Sequence, residues 1–396
     1  MIKVRVMGTF ALGEILLLLS YLYIPINVVK ESKSIRKFMW FGVAWLIGVI
    51  ISDTVNETPT VNSIKGMFNV ILLLSITPGV FWCIRNNHKA ILFYWLGTGA
   101  SDLISFYFLR SFDSDFEYNV WRVYAYFPVF ISIGGYLYYK NHRKAGILLT
   151  QSFALWTLFN QSRLIFLTVT LANSILVYSN KLKADKQKSV VCKFRAHSLR
   201  LIVLILLSFT VVDGIYEKGA NDGYFGESVR EKYLMQKNTN MGLASGRHDF
   251  FMSAALVFQN PVLGYGSYAE DKNGFREDFL WRHGMDLSVS QDSNMLPGHS
   301  YLLGAWVYAG LLGALFFIFV LKIVFKTLKY GNFLYDTRMS AMYLYVTILY
   351  VWNILFSPFA DRMNFLFIVI TLIVLEDYRI KNKKKHDQDF NHRSIV

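Results

Sequence analysis

The sequence is short of two residue types that often shape a soluble or secreted fold. It has 7 prolines and two cysteines among 396 residues, and only 17% of its residues are charged. Cys83 and Cys192 both fall near the side assigned below as cytoplasmic, so no disulfide is expected. Instead, 54% of the residues are hydrophobic and mean hydropathy is +0.34. A soluble protein of this size is more polar, so the composition indicates a membrane protein.

The common catalytic and cofactor motifs are also missing. The sequence has no HExxH, no cluster of Cys and His, and no paired acids at a suitable spacing. It has no P-loop, no GxSxG and no dinucleotide-binding turn. We therefore expect neither a metal nor a cofactor.

Long apolar runs dominate what is present. A helix needs roughly 20 apolar residues to cross a bilayer. Residues 145–179 would make about 52 Å of helix, which is too long for one crossing, so the polar NQSR at 160–163 predicts a turn. Eleven spans are then expected, near 7–27, 38–52, 66–84, 90–109, 120–139, 145–160, 164–179, 201–217, 300–321, 339–356 and 363–376.

The basic residues predict the orientation of these spans. Of the 41 Lys and Arg, 26 lie in alternate connections and in the C-terminal tail, which are therefore assigned to the cytoplasm. The net charge of +14 thus reflects topology, and no nucleic acid partner is expected. The N-terminus falls outside, unless the first run is re-entrant. The predicted fold is a single all-α membrane domain over residues 1–396, with one large outer segment at 218–299.

Several charged residues lie in or beside the predicted spans. Glu14, Asp102 and Arg122 are each either functional or members of buried ion pairs, and the sequence favours neither reading. Arg163 begins SRLIFLTVTLA at the outer end of the seventh span. It is either an interfacial arginine whose charge reaches water or a binding residue.

The outer segment contains ASGRHDFFMSAALVFQNPVLGYGS, which predicts a short amphipathic surface helix. Ser245 suits the N-cap, and Pro261 ends the helix. Arg247, Phe251 and Phe258 recur on one face at helical spacing. Arg247 falls in the first turn, where free N–H groups already favour an anion. A solvated surface arginine is the alternative.

Two further features lie on the same side. The stretch GFREDFLWRHGMDL interleaves Arg276, Arg282 and His283 with aromatic residues, as sugar-binding surfaces do, although a solvated loop has a similar composition. His299 stands in LPGHSYLLGAW, at the mouth of the ninth span. A lone histidine at a helix start is commonly structural, so its role depends on its neighbours.

The order of these motifs resembles that of the O-antigen ligase and polymerase superfamily of bacterial envelope enzymes. In both, an SR opens a span, an SGR and a P-x-x-G-x-G turn follow in a large outer loop, and a His opens the next span. Ser300 departs from the pattern, because many members have Asn there. The matching stretches are SRL (162–164), SGR (245–247), NPVLGYGS (260–267), GHSYL (298–302) and AGLLGA (309–314).

The resemblance implies a GT-C-like fold of about 11–12 transmembrane helices, with short amphipathic helices in the outer loop. It also implies inverting, metal-independent transfer of a glycan from undecaprenyl diphosphate to a hydroxyl acceptor. His299 would be the base and Arg247 would assist catalysis. The diphosphate would be bound by Arg163, Arg247 and a loop arginine, either Arg276 or Arg282.

Three functions stay open at this point. A polymerase joins lipid-linked repeat units and is preferred for the PGHSYL form and the NETPTVNSIKGMF stretch. A ligase moves the finished chain to lipid A-core. A flippase or transporter is the third reading, with charged residues lining a path. Partners expected for the enzyme are the lipid-linked glycan, the acceptor, membrane lipids and a chain-length regulator. The expected location is the bacterial inner membrane, with the site facing the periplasm and the C-terminus in the cytoplasm.

Overall fold

The computed structural model describes most of the chain, including every segment that builds the site below. The described residues are 3–5, 9–19, 26–87, 89–109, 115–160, 162–184, 214, 217–219, 221–224, 230, 233–234, 248–285, 294–334, 338–357, 359 and 362–393. The predicted span at 201–217 and the residues Cys192, Ser245 and Arg247 fall largely or wholly outside these ranges.

Helices make up nearly all of the described structure, as the sequence predicts. They are α1 (Leu12–Leu19), α2 (Lys33–Val55), α3 (Thr60–Asn86), α4 (Ala90–Ile104), α5 (Asp115–Tyr139), α6 (Arg143–Phe159), α7 (Arg163–Ala184), α8 (His248–Gln259), α9 (Phe275–Arg282), α10 (Tyr301–Tyr330), α11 (Ser340–Phe356) and α12 (Arg362–Arg393). Short 3-10 or π segments lie at Ile26–Glu31, Ser105–Leu109 and Asn332–Leu334. The turn expected at NQSR is confirmed, because α6 ends at Phe159 and α7 begins at Arg163.

The predicted first span is not one continuous helix. The chain starts as a two-stranded antiparallel hairpin, β1 (Lys3–Arg5) and β2 (Thr9–Ala11), in which Val4 pairs with Phe10. Only eight residues of α1 follow. β-Branched and aromatic residues favour strands, and a count of apolar residues cannot separate a strand from a helix over such a short run. The expectation of a span over 7–27 is therefore wrong in its first residues.

α2 is apolar on two opposite faces. One face, which includes Phe38, Trp45 and Val49, is buried against the rest of the chain. The other bears Trp40, which is 74% exposed, and Ile47, which is 46% exposed. A helix that is apolar all round is found in a large core or in a membrane. By length and composition, α2, α3 and α10 can each cross a membrane.

The interior between these helices is built largely from aromatic rings. Trp45 stacks on Phe316 with ring centroids 5.0 Å apart, and Phe38 lies 5.1 Å from the same ring. Phe365 of α12 packs 5.8 Å from Phe316. Gly48 lets α2 approach α10, because a Cβ there would lie 2.8 Å from the carbonyl oxygen of Ala309. This close contact positions α10, which begins at Tyr301 directly after the sequence LPGHS.

α10 is broken ten residues from its start. Gly310 has φ 61° and ψ −153°, which is outside the helical region. The freed backbone groups are bonded by another segment: Leu311 N–H donates to Val262 O at 3.0 Å, and Tyr265 N–H donates to Val307 O at 2.7 Å. Because unpaired backbone groups are costly away from water, these two bonds make the break tolerable.

We name residues 261–267 the glycine turn; it also binds the C-terminal end of α2. Gly266 N–H donates to Ser52 Oγ at 3.0 Å. The backbone N–H of Ser267 donates to Asp53 Oδ1 at 2.5 Å, and its hydroxyl donates to Oδ2 at 3.0 Å. Asp53 is 5% exposed, so its carboxylate is bonded where water is scarce. The glycine turn therefore joins α2 to the break in α10.

Two of the charged residues noted in the sequence are held by defined partners. Arg362 Nε lies 2.9 Å from a carboxylate oxygen of Glu14, and Arg362 also contacts Asn69. This arrangement matches the buried ion-pair reading for Glu14. Arg122 donates to Asn160 and packs against the Trp156 ring, 5.3 Å from its centroid.

We expect Gly310→Ala to destabilise the protein by about 2–5 kcal/mol. The added Cβ would overlap the Val262 carbonyl oxygen, and a side chain is disfavoured at this positive φ. The measurement is the thermal unfolding midpoint of the purified protein. Gly97→Ala in α4 is the matched control, since nothing lies within 4 Å of a Cβ there. Equal midpoints for the two variants would contradict the account of the break.

Candidate active site

α8 places one apolar face on the fold and leaves another exposed. Met252 and Leu256 are 0% and 2% exposed, whereas Phe251 and Phe258 are 39% and 85% exposed. The predicted short helix is thus confirmed over 248–259, although its exposed face also carries large apolar side chains. It ends before Pro261, which cannot continue the helical hydrogen bonding.

His299 sits on a segment that is fixed to three neighbouring elements. Leu296 N–H donates to Ala269 O at 2.8 Å, beyond the glycine turn. Ser253 of α8 donates its hydroxyl to Pro297 O at 2.9 Å. Ser300 then starts α10. These bonds lie on both sides of His299 in the chain, so they determine where its ring can reach.

Ser300 performs two tasks with one hydroxyl group. Its Oγ accepts the N–H of Leu303 at 3.1 Å, which caps α10, and donates to Ile354 O in α11 at 2.9 Å. Ser300 is 0% exposed. A short polar side chain directly after His299 is therefore needed to begin the helix and join it to α11.

The histidine meets a carboxylate from α8. His299 Nδ1 lies 2.9 Å from Asp249 Oδ2, and their side chains are 51% and 15% exposed. Among the residues that the structure describes, His299 Nε2 has no hydrogen-bond partner. A carboxylate on one ring nitrogen favours the tautomer whose other nitrogen can accept a proton. The pair therefore has the arrangement of an oriented general base.

Asp249 stays ionised in this setting. Burial raises the pKa of the Asp249 carboxyl, but the hydrogen bond with His299 and the nearby charges of His299, His248 and Arg276 lower it, so that the pKa lies below its usual value. A carboxylate with a lowered pKa is fully charged at neutral pH. It can therefore stabilise a positive charge on His299 when the ring takes up a proton.

Arg276 approaches the same carboxylate from α9. Asp271 accepts the N–H groups of Phe275 at 2.8 Å and Arg276 at 2.7 Å, which anchors the start of this helix. The Arg276 side chain is 13% exposed, and its terminal NH2 group lies 3.7 Å from Asp249 Oδ1. Within the described part of the chain, Arg276 Nε and Asp249 Oδ1 are buried without a hydrogen bond. The site thus contains one buried donor and one buried acceptor that lack a hydrogen bond to the described residues.

The structure separates the residues that the sequence left as alternatives. Arg276 is beside Asp249, whereas Arg282 is 67% exposed and pairs with Asp278 at 2.8 Å. The α7 backbone begins at Arg163, but the described side chains do not include that of Arg163. Arg247 also lies outside the described residues.

Asp249 was not among the residues singled out in the sequence. It stands in the first turn of α8, where a carboxylate is expected simply because it complements the helix dipole. One signal could have identified it: a candidate base usually has an orienting acid, and Asp249 is the acid next to the SGR motif. Its pairing with His299, 50 residues later, is a tertiary contact.

Comparison with protein-family models, with curated proteins and with solved structures finds no match.

Asp249→Asn tests the charge on the carboxylate through protein stability. Because the folded pKa of Asp249 is lowered, its charge stabilises the fold above the unfolded value, near 3.9. That contribution is lost as the pH falls through the lower folded pKa. We expect wild type to unfold at a higher temperature than Asp249→Asn at pH 7, and the gap to shrink below about pH 4.

Asp278→Asn is the matched control, because its carboxylate is 50% exposed and pairs with the exposed Arg282. Its effect on the midpoint should be small at both pH values. A difference in unfolding midpoint between wild type and Asp249→Asn that does not change with pH would refute the assignment of a stabilising ionised carboxylate.

Proposed function

We propose that this chain is a membrane glycosyltransferase that polymerises oligosaccharide repeat units carried on a polyprenyl diphosphate. The observation that carries the proposal is the 2.9 Å contact between Asp249 and His299 at the start of α10. The order of motifs in the sequence makes His299 the expected base, and this contact supplies the carboxylate that such a base needs.

The proposed reaction is a direct displacement at the anomeric carbon. A hydroxyl oxygen of the acceptor forms the new bond, the bond from the anomeric carbon to the diphosphate oxygen breaks, and its electron pair leaves with the diphosphate. The hydroxyl proton goes to His299 Nε2. Asp249 acts through His299 as a positioning residue, since it holds the Nδ1–H and balances the charge of the imidazolium. A single displacement inverts the anomeric centre.

Cationic side chains would stabilise the charge that develops on the leaving group. Arg276 is supported for this role, because its guanidinium lies 3.7 Å from Asp249 and its Nε is buried without a hydrogen bond among the described residues. Such a donor gains free energy when a phosphate oxygen binds it. Arg247 and Arg163 remain the other candidates for the diphosphate. No metal or cofactor is invoked in this scheme.

The setting proposed for this chemistry is the outer face of the bacterial inner membrane. The three apolar helices support a membrane location, and the distribution of basic residues favours a cytoplasmic C-terminus. In this scheme the eleven-span, GT-C-like topology puts the segment 218–299 in the periplasm. Both lipid-linked substrates would reach the site sideways from the bilayer.

His299→Ala and Asp249→Asn test the base. We expect each to lower kcat by about 10²–10⁴, because proton removal from the acceptor loses its catalyst, while the KM for donor and acceptor changes little. The measurement is elongation of lipid-linked repeat units by purified enzyme. Normal elongation by both well-expressed variants would disprove the mechanism.

The glycans made by a deletion strain distinguish the polymerase from its alternatives. Loss of a polymerase leaves a single repeat unit on the lipid core. Bare core with long chains stranded on the carrier lipid would identify a ligase instead. Movement of lipid-linked glycan across liposomes containing the purified protein, without new glycosidic bonds, would identify a flippase.

Arg276→Gln and Arg282→Gln form a matched pair, since both remove an arginine from α9. We expect Arg276→Gln to reduce kcat/KM for the lipid-linked donor by about 10–100-fold, equivalent to the 1.5–3 kcal/mol of a charged hydrogen bond. Arg282→Gln should stay within about 2-fold, since its charge is exposed and already paired. The reverse ranking would assign the diphosphate to Arg282.

A further inference from the structure

A cavity of about 400 Å³ is lined by residues of the same elements that carry the candidate active site. It lies between the turn that joins α2 to α3, the C-terminal end of α8, the residues after the glycine turn and the beginning of α9. This volume is within the 300–1,000 Å³ range of small-molecule sites. The catalytic scheme above does not use this cavity.

The charge of the cavity is opposite to that of a diphosphate site. Among the described residues that line it, four bear carboxylates, Glu57, Glu270, Asp271 and Asp278, against the single ammonium of Lys272. A phosphate group would be repelled by this lining. The occupant must therefore be neutral or cationic, and rich in hydrogen-bond donors.

Two of these carboxylates are available to a ligand. Asp271 is occupied with the start of α9, and Asp278 pairs with Arg282. Glu57 and Glu270 make no side-chain hydrogen bond or ion pair with the described residues. Glu57 has φ 49° because it is the αL residue of the cap that ends α2, where its N–H donates to Thr54 O and Thr58 N–H donates to Asp53 O.

The backbones of the two aromatic residues in the lining are anchored. Tyr265 is fixed by its N–H bond to Val307 O at 2.7 Å, and its hydroxyl donates to Gln259 Oε1 at 3.3 Å. Phe275 is held by the bond of its N–H to Asp271. Aromatic faces combined with a few placed carboxylates and amides can bind the CH faces and hydroxyls of a sugar. A preformed wall also reduces the entropy lost on binding.

The cavity and the Asp249–His299 pair share two segments of the chain, α8 and the residues just before α10. Leu256 lines the cavity and follows Asp249 by seven residues on α8, which is about 10 Å along the helix. Leu296 lines it three residues before His299. A ligand that filled the cavity and also reached His299 would therefore extend beyond a single sugar ring.

We propose that this cavity binds the acceptor glycan, a neutral or amino-bearing oligosaccharide. The bound sugars are those that follow the sugar with the reacting hydroxyl. The assignment rests on the proposed glycosyl transfer. It separates the reacting parts of the substrates by charge: the donor's diphosphate at the arginines and the acceptor's hydroxyl-rich sugars at the carboxylates. Uronic acid units are excluded from the cavity for the same reason.

The double variant Glu57→Gln/Glu270→Gln tests this assignment with the purified full-length protein. We expect the KM for the acceptor to rise at least 10-fold, while the KM for the lipid-linked donor and its slow hydrolysis by water stay unchanged. Lengthening the acceptor from one sugar to a full repeat unit should lower KM in wild type and have little effect in the double variant. Glu277→Gln is the control, because Glu277 is an exposed acid on α9 that does not line the cavity.

A binding measurement separates failure of this inference from failure of the proposed function. The probe is the repeat-unit oligosaccharide released from its carrier lipid, detected by saturation-transfer NMR. Binding that the double variant abolishes, with no transfer by wild type, would support the cavity and overturn the glycosyltransferase. Transfer with an unchanged acceptor KM in the double variant would overturn the cavity and retain the enzyme. A raised KM for the lipid-linked donor in that variant would also overturn the assignment of the cavity to the acceptor.

Discussion

The backbone hydrogen bonds across the break in α10 are the contact on which the rest of the site depends. They join the glycine turn to Val307 and Leu311, while the other side of that turn binds Ser52 and Asp53 of α2. The glycine turn follows α8, and α10 follows His299. One contact between irregular backbone segments therefore positions both the carboxylate and the histidine of the candidate pair.

Most helices could be predicted from the sequence, because apolar runs near 20 residues and polar interruptions such as NQSR are local signals. The N-terminal hairpin could not, since β1 and β2 are each three residues long and have no period that separates them from a helix. The break at Gly310 was equally hidden. Small residues within an apolar helix usually signal close helix packing, and only the bond to the carbonyl of Val262 shows why a non-helical residue is stable there.

The sequence indicates candidate residues of the site, but it does not indicate which of them are in contact. His299 and a loop arginine follow from motif order alone. Arg276 and Arg282 lie six residues apart on one short helix, so no local rule separates them. What separates them is burial: Asp249 lies beside one, and solvent surrounds the other. Asp249 is also explained locally, because a carboxylate in the first turn complements the dipole of α8. That explanation gives no indication of its long-range contact with His299.

Ser300 has a consequence for which residue types can follow the histidine. Its hydroxyl group must accept from Leu303 N–H and donate to Ile354 O at the same time, with no water to replace either partner. Only a short side chain that both accepts and donates meets that demand. An alanine there, although smaller, would leave two groups of different helices, Leu303 N–H and Ile354 O, without this partner.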